Sequence, residues 1–309
     1  MLWLSGMSAT NSELLTADLA FIGHLCLDEV TPFGGLPRVA AGSAVLCGAL
    51  AAARIGAKVA VVTKIARRDA AILEPMRELG IAVHVIPADV TTYMKVVHPT
   101  SDVDDREMYQ LANAGLFATS DIPELSVKQV HLAGITDQEF NLGLVRSLKA
   151  RGYRLSADMQ SFVRQVDPVT HKVSFGDVAD KGAIASLLDM VKLDVVEARV
   201  LTGTDDLERA AITFEEWGCP ETLITRADGA LARVNGMTYW EPFSNSSVVG
   251  RTGRGDTTFA AYMARRLDHD PDDSLKFAAA LVSLKMEKAG PFDGTLPDVL
   301  ERMNATAVR

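Results

Sequence analysis

Short apolar runs alternate with helical patterns along almost the whole chain, and no other feature limits the fold as tightly. The run "ADLAFIGHL" (17–25) sets the type. It is repeated by "KVAVVTKI" (58–65), "IAVHVIPA" (81–88), "QVHLAG" (129–134), "RLSADM" (154–159), "KLDVV" (192–196) and "ETLITR" (221–226). Between them lie the helical stretches "GSAVLCGALAAARIGA" (42–57), "DAAILEPMRELG" (69–80), "QEFNLGLVRSLKARG" (138–152), "KGAIASLLDM" (181–190) and "LERAAITFEEWG" (207–218). Strands this apolar are buried on both faces, and a strand that returns through a helix pairs in parallel. The pattern predicts an α/β fold of three layers, a mainly parallel central sheet with helices on both faces.

Two segments interrupt the alternation. "DEVTPFGGLPRVAAG" (28–42) is rich in glycine and proline, and "TTYMKVVHPTSDVDDREMYQLANAG" (91–115) reads as a hairpin around the polar turn "TSDVDD". Segments of about 28–42 and 88–115 are expected to form a small β-sheet lid over the carboxyl ends of the main strands, where ligands bind in such sheets. A further hairpin, "ALARVNGMTYWEPF" (230–243), turns on Asn235–Gly236. With no repeat or linker, residues 18–309 read as one domain after an N-terminal tail, 1–17, that lacks the basic and apolar regions of a signal peptide.

The formal charge of −9 argues against a nucleic-acid or anionic-membrane surface, and no apolar run is long enough to span a bilayer. Three scattered cysteines show no zinc spacing and point to a reducing, cytoplasmic setting.

Chemistry concentrates in "GRTGRGDTTFAAYMA" (250–264). Gly253 and Gly255 let successive amides converge on an anion, and the helix beginning near Asp256 brings its positive end to the same point. Asp256 is then either a helix cap or a base beside a phosphoryl group.

"TGRGDTTFAAYM", at the end of a chain of βα units, resembles the ribokinase (PfkB) family of carbohydrate and nucleoside kinases, across roughly residues 18–300. The resemblance implies a ribokinase-like fold and Asp256 as catalytic base, with Gly253, Arg254, Gly255 and Asp256 forming the anion hole. Gly250 and Arg251 depart from the family's usual D-T, and Arg254 from its small middle residue; the Arg254 guanidinium either reaches the donor phosphates or points to solvent. By the same resemblance Asp28 and Gly42 bind the acceptor. Asp194 and Glu197 match the stretch that organises magnesium through water, against the plainer reading of an acidic helix start. Thr225, Gly229 and Thr252 fall to the nucleotide, and 278–290 is implied to contact adenine.

The resemblance further implies ATP and Mg2+ as cofactors, with a monovalent cation and a homodimer through the lid as additional family traits. Leu46 stands where many sugar kinases carry a substrate-binding asparagine. Asp158, Gln160 and Arg164 in "SADMQSFVRQVDP" (156–168) are similar to the D-x-Q-G-x-x-R stretch of inositol kinases. Gln160 and Arg164 either bind a polyol or hold a loop. The expected activity is transfer of the γ-phosphate of MgATP to a hydroxyl of a sugar or polyol, myo-inositol or an inositol phosphate among them. A nucleoside kinase and a non-catalytic binder on the same fold are the alternatives.

Overall fold

The computed structural model describes residues 14–102 and 105–307. In chain order the strands are β1 (Leu19–Ile22), β2 (Cys26–Thr31), β3 (Arg38–Gly42), β4 (Val59–Ala66), β5 (Ala82–Ala88), β6 (Thr92–Val97) and β7 (Glu107–Ala112). There follow β8 (Gln129–Leu132), β9 (Leu155–Asp158), β10 (Arg164–Val166), β11 (Val173–Phe175), β12 (Met190–Asp194), β13 (Glu221–Thr225), β14 (Gly229–Val234) and β15 (Met237–Pro242). The longer helices are α1 (Ala44–Arg54), α2 (Leu142–Ala150), α3 (Val195–Thr202), α4 (Leu207–Glu216), α5 (Arg254–Arg265), α6 (Pro271–Met286) and α7 (Leu296–Ala307).

Among the described residues, nine strands form one sheet in the order β15-β14-β13-β12-β9-β8-β1-β4-β5. It is parallel from β13 to β5, and antiparallel where the 229–242 hairpin extends one edge. Side chains alternate across it. Leu19 and Phe21 enter one core with α1, α5 and α6, while Ala20 and Ile22 enter the other with α2, α3 and α4. The chain runs from β1 outward through β4 to β5, then returns to β8 on the other flank, so the order reverses between β1 and β8. Loops leaving those two strands diverge and open a crevice at their carboxyl ends.

Over that crevice lies a second sheet, β3-β2-β6-β7, built from the two segments that broke the alternation. Its strands spring from a buried polar knot. The His24 backbone N–H donates to Glu139 at 2.8 Å, its Nδ1 accepts from the Thr92 hydroxyl at 2.8 Å, and its Nε2 meets the Gly115 carbonyl at 3.0 Å. The body of the protein and both ends of the β6–β7 hairpin are thereby tied at one residue. The small ribbon β10–β11 reaches the hairpin's outer edge, where the Gln110 amide donates to the His171 carbonyl at 2.9 Å.

Several expectations are corrected. Of the 1–17 tail, residues 1–13 lie outside the described residues, but Leu15–Thr16 pairs in parallel with Leu125–Ser126. The 69–80 helix is a 3-10 segment (Arg67–Leu73) followed by one α-turn (Glu74–Glu78). Pro75 is tolerated there because it sits in the first turn, where its missing N–H has no intrahelical partner to lose. Helix 181–190 stops at Ala185, since Met190 already belongs to β12, and that strand ends at Asp194, where α3 begins.

Candidate active site

The α5 amino end faces the crevice, and its two glycines serve different ends. Gly253 caps the helix at φ 77°, in the left-handed region. Gly255 is helical and is glycine for space: a Cβ there would lie 2.9 Å from the Lys192 ammonium. Only Gly253 of the two is glycine for its backbone conformation. Cys47 packs beneath the turn, its sulfur 2.6 Å from where a Gly253 Cβ would be.

Lys192, which the sequence reading passed over, is the buried centre of the site. Its ammonium lies 3.0 Å from Asp158 Oδ2 and 3.8 Å from Glu197 Oε2, with Asp158 and Glu197 at most 1% exposed. Burial pushes the Asp158 pKa well up and Lys192 opposes this; burial likewise raises that of Glu197, with the Asp194 charge adding to it. The signal in the sequence was a lysine inside an otherwise apolar strand.

Asp28, on β2, lies across the crevice from Asp256. Its carboxylate accepts from the Cys26 thiol at 3.0 Å, and burial, reinforced by the Asp256 charge, raises its pKa. Gly42 lies against it so closely that a Cβ would overlap the carboxylate. Gln160 donates from Nε2 to the Gly134 carbonyl at 2.8 Å and is buried. That hydrogen bond ties Gln160 to the loop that follows β8. Arg164 places Nη2 3.5 Å from Glu197, while its buried Nε has no hydrogen-bond partner.

Asp194 and Glu197 form a reciprocal capping box at the start of α3, each carboxylate accepting from the other's N–H at 2.8 Å. The acidic helix start is thus real. Among the described residues no group of three His, Cys, Asp or Glu side chains could hold a metal. Glu197, enclosed by Lys192 and Arg164, does not fit as a direct ligand. Asp194, half-buried at the crevice, fits contact through water to an ion held by phosphate oxygens, which is how Mg2+ is commonly bound.

Thr225 is buried at the carboxyl end of β13, beside Gly255. Gly229 is packed beneath Trp240, where a Cβ would lie 2.5 Å from the ring. Thr252 is exposed, and its carbonyl, with that of Gly250, accepts from the buried Lys285 ammonium. Lys285 is one of several clasps on the 244–252 loop. The Ser244 amide donates to Ser283 at 2.8 Å, Ser246 to Glu287 at 2.9 Å, and Gly250 to the Met286 carbonyl at 2.8 Å. The stretch implied to contact adenine is therefore buried along α6 and clasped at its end by the chain's own loop.

Cations surround the α5 turn. Arg254 lies in the fields of Arg251, Arg106, Asp194 and Asp228, and burial lowers its pKa to about 10. Arg106, from the β6–β7 hairpin, is solvent-accessible at the mouth of the crevice. Its charge nonetheless feels Arg164, Asp194, Glu197 and Asp256. The sequence offered no sign of Arg106, because only the fold brings the hairpin across the strand ends.

An acid and an amide-lined helix end, ringed by arginines and lysine beneath a small sheet, is the equipment of a phosphotransferase. The model of the pfkB family of carbohydrate kinases matches residues 33–298, and the chain belongs to that family. It is a kinase of the sugar and polyol class. A cytidine kinase of Thermococcus kodakarensis is 27% identical over 258 residues, 80% of this chain and 87% of its own. Among solved structures, a sulfate complex of a pyrophosphate-dependent kinase in the ribokinase family superposes with a TM-score of 0.85. Its identity is 32%, over 92% of this chain and 99% of its own. A pyrophosphate-dependent myo-inositol-1 kinase converted by two substitutions into a myo-inositol-3 kinase gives a TM-score of 0.83 and 31% identity, over 93% of this chain and 99% of its own. Arabidopsis thaliana ribokinase with ribose and ATP shares the fold, with a TM-score of 0.71 at 17% identity, over 94% of this chain and 99% of its own. No helix among the described residues is long and apolar enough to cross a membrane.

Proposed function

We propose that the chain phosphorylates a hydroxyl of a neutral cyclic polyol of the myo-inositol kind, with pyrophosphate as donor and Asp256 as general base. One observation carries the donor. Cationic side chains crowd the α5 turn, while the stretch that a nucleotide base would need is clasped by residues 244–252. An inorganic donor needs the first and has no use for a base slot. This replaces the ATP implied by the family resemblance, and the two pyrophosphate-dependent neighbours agree with it.

Asp28 and Asp256 face the acceptor side together, so a neutral polyol is favoured over an inositol phosphate, whose charge both would repel. Asp256 takes the proton of the attacking hydroxyl. The new O–P bond forms as the bond to the leaving phosphate breaks, and the α5 amides receive the developing charge. Lys192 keeps Asp158 and Glu197 paired beside them. Magnesium, reached through Asp194 and water, would neutralise the donor. The β2-β3-β6-β7 sheet acts as the lid that excludes water, whose attack would waste the donor.

Product formation measured with pyrophosphate or ATP, against a panel of myo-inositol, inositol phosphates, ribose, fructose and cytidine, tests the reading. Turnover is expected with pyrophosphate and myo-inositol. Turnover with ATP and none with pyrophosphate would overturn the donor, and a preference for cytidine would overturn the acceptor. Asp256→Asn is expected to lower kcat by at least a thousandfold while the protein stays folded and still binds pyrophosphate.

A further inference from the structure

We infer that Arg254 selects the donor, holding the leaving phosphate of pyrophosphate in the space that the rest of a nucleotide would need. The inference rests on the polyol kinase reading above and deepens it at one residue.

Arg254 is the first residue of α5, a place where a cation meets the positive end of the helix and is disfavoured. The charges around it make the placement worse, since Arg251 and Arg106 both act against it. Its two opposing acids are Asp194 at the end of β12 and Asp228 in the β13–β14 turn. Asp228 is already held by Arg226, at 2.5 Å from Nε and 2.7 Å from Nη2. None of the hydrogen bonds or ion pairs among the described residues engages the Arg254 guanidinium. A local rule broken this way, with no hydrogen bond or ion pair on the guanidinium to offset it, marks a group that waits for a ligand.

The place of the residue names the ligand. Arg254 opens α5 at the anion hole, with Asp194 and Asp228, the acid of the 225–229 turn, near enough to act on its charge, so it stands between the phosphate site and the loop that the family resemblance gives to the nucleotide. From a nucleoside triphosphate, the α-phosphate and sugar would have to cross that interval. A guanidinium there pairs two oxygens of a terminal phosphate and stands in the way of anything attached to it. Arg106 approaches from the hairpin and Arg164 from β10, and Arg164 carries a buried Nε without a partner. Only a small, multiply charged anion relieves all three.

Initial rates with pyrophosphate and with ATP, for wild type, Arg254→Ala, Arg254→Gln and Arg254→Lys, test the assignment, with pyrophosphate binding measured by calorimetry. Arg254→Ala and Arg254→Gln are expected to raise KM and Kd for pyrophosphate at least tenfold and to shift the pyrophosphate-to-ATP ratio of kcat/KM by at least as much. The KM for the polyol should stay within twofold, and Arg254→Lys should fall between. Pyrophosphate KM and Kd within twofold of wild type in both neutral variants would overturn the inference. A wild type that uses ATP and ignores pyrophosphate would instead overturn the donor reading on which it rests. Should Arg254→Ala fail to fold, the isosteric Arg254→Gln decides alone.

Discussion

Lys192 is a buried cation whose value depends on the acids it touches. Removing it leaves Asp158 and Glu197 as unpaired carboxylates in a dry interior, a loss of about 3–5 kcal/mol for a broken buried pair. The acids can escape part of that cost by taking up protons. Lys192→Met is therefore expected to destabilise strongly at pH 8 and less at pH 5, where both carboxylates are closer to neutral; urea unfolding at the two values checks it. Equal losses at both would mean that the lysine serves packing alone. The sequence named Asp158 and Glu197 through motifs and missed the lysine between them. A pairing across two strands has no spacing in the chain to betray it.

At the level of elements, the α3 start decides what Asp194 and Glu197 do. The capping box drew Val195 and Val196, read as strand, into the helix, because two satisfied N–H groups outweigh the modest β preference of valine. Asp194→Asn keeps an acceptor for the cap and removes the charge. It should hold stability to within about 0.5 kcal/mol, since Asn and Asp cap almost equally well. Asp194→Ala should lose about 1 kcal/mol. If Asp194 meets magnesium through water, Asp194→Asn will raise the Mg2+ concentration for half-maximal activity severalfold. An unchanged requirement would leave the residue as a cap only. The 244–252 loop teaches the same lesson. Ser283, Lys285 and Glu287 bind it to α6, contacts that no local pattern in the loop announces.

Over the whole molecule, burial sets the response to acid. Burial holds His24 and His131 at about 3, so between pH 6.5 and 3 the unfolded chain binds more protons than the folded one. Their contribution is complete above pH 6.5 and is lost as pH falls through that window. Glu139 works oppositely: burial pushes it up to about 7, so its contribution to stability falls as pH rises from 4.5 to 7. Glu139→Gln removes that opposing group. Between pH 6.5 and 4.5 its urea midpoint, measured against that of the wild type, should therefore fall as the pH drops, and a constant difference between the two would contradict the sign.

The sequence by itself determined the layers, the parallel sheet, the two interrupting segments and the acid at the α5 turn. Each of these rests on a local rule: the period of apolar residues, the need for a turn, the convergence of amides at a helix end. Tertiary structure decided which charges meet. Arg106 on a hairpin, Lys192 in a strand and Lys285 near the end of α6 are far apart in the chain, and they reach one crevice only because the strand order reverses between β1 and β8. It also decided that Gln160 meets the Gly134 carbonyl and that Gly255 is glycine for space. Contacts of this kind are set by distances through the fold, to which periodicity along the chain is blind.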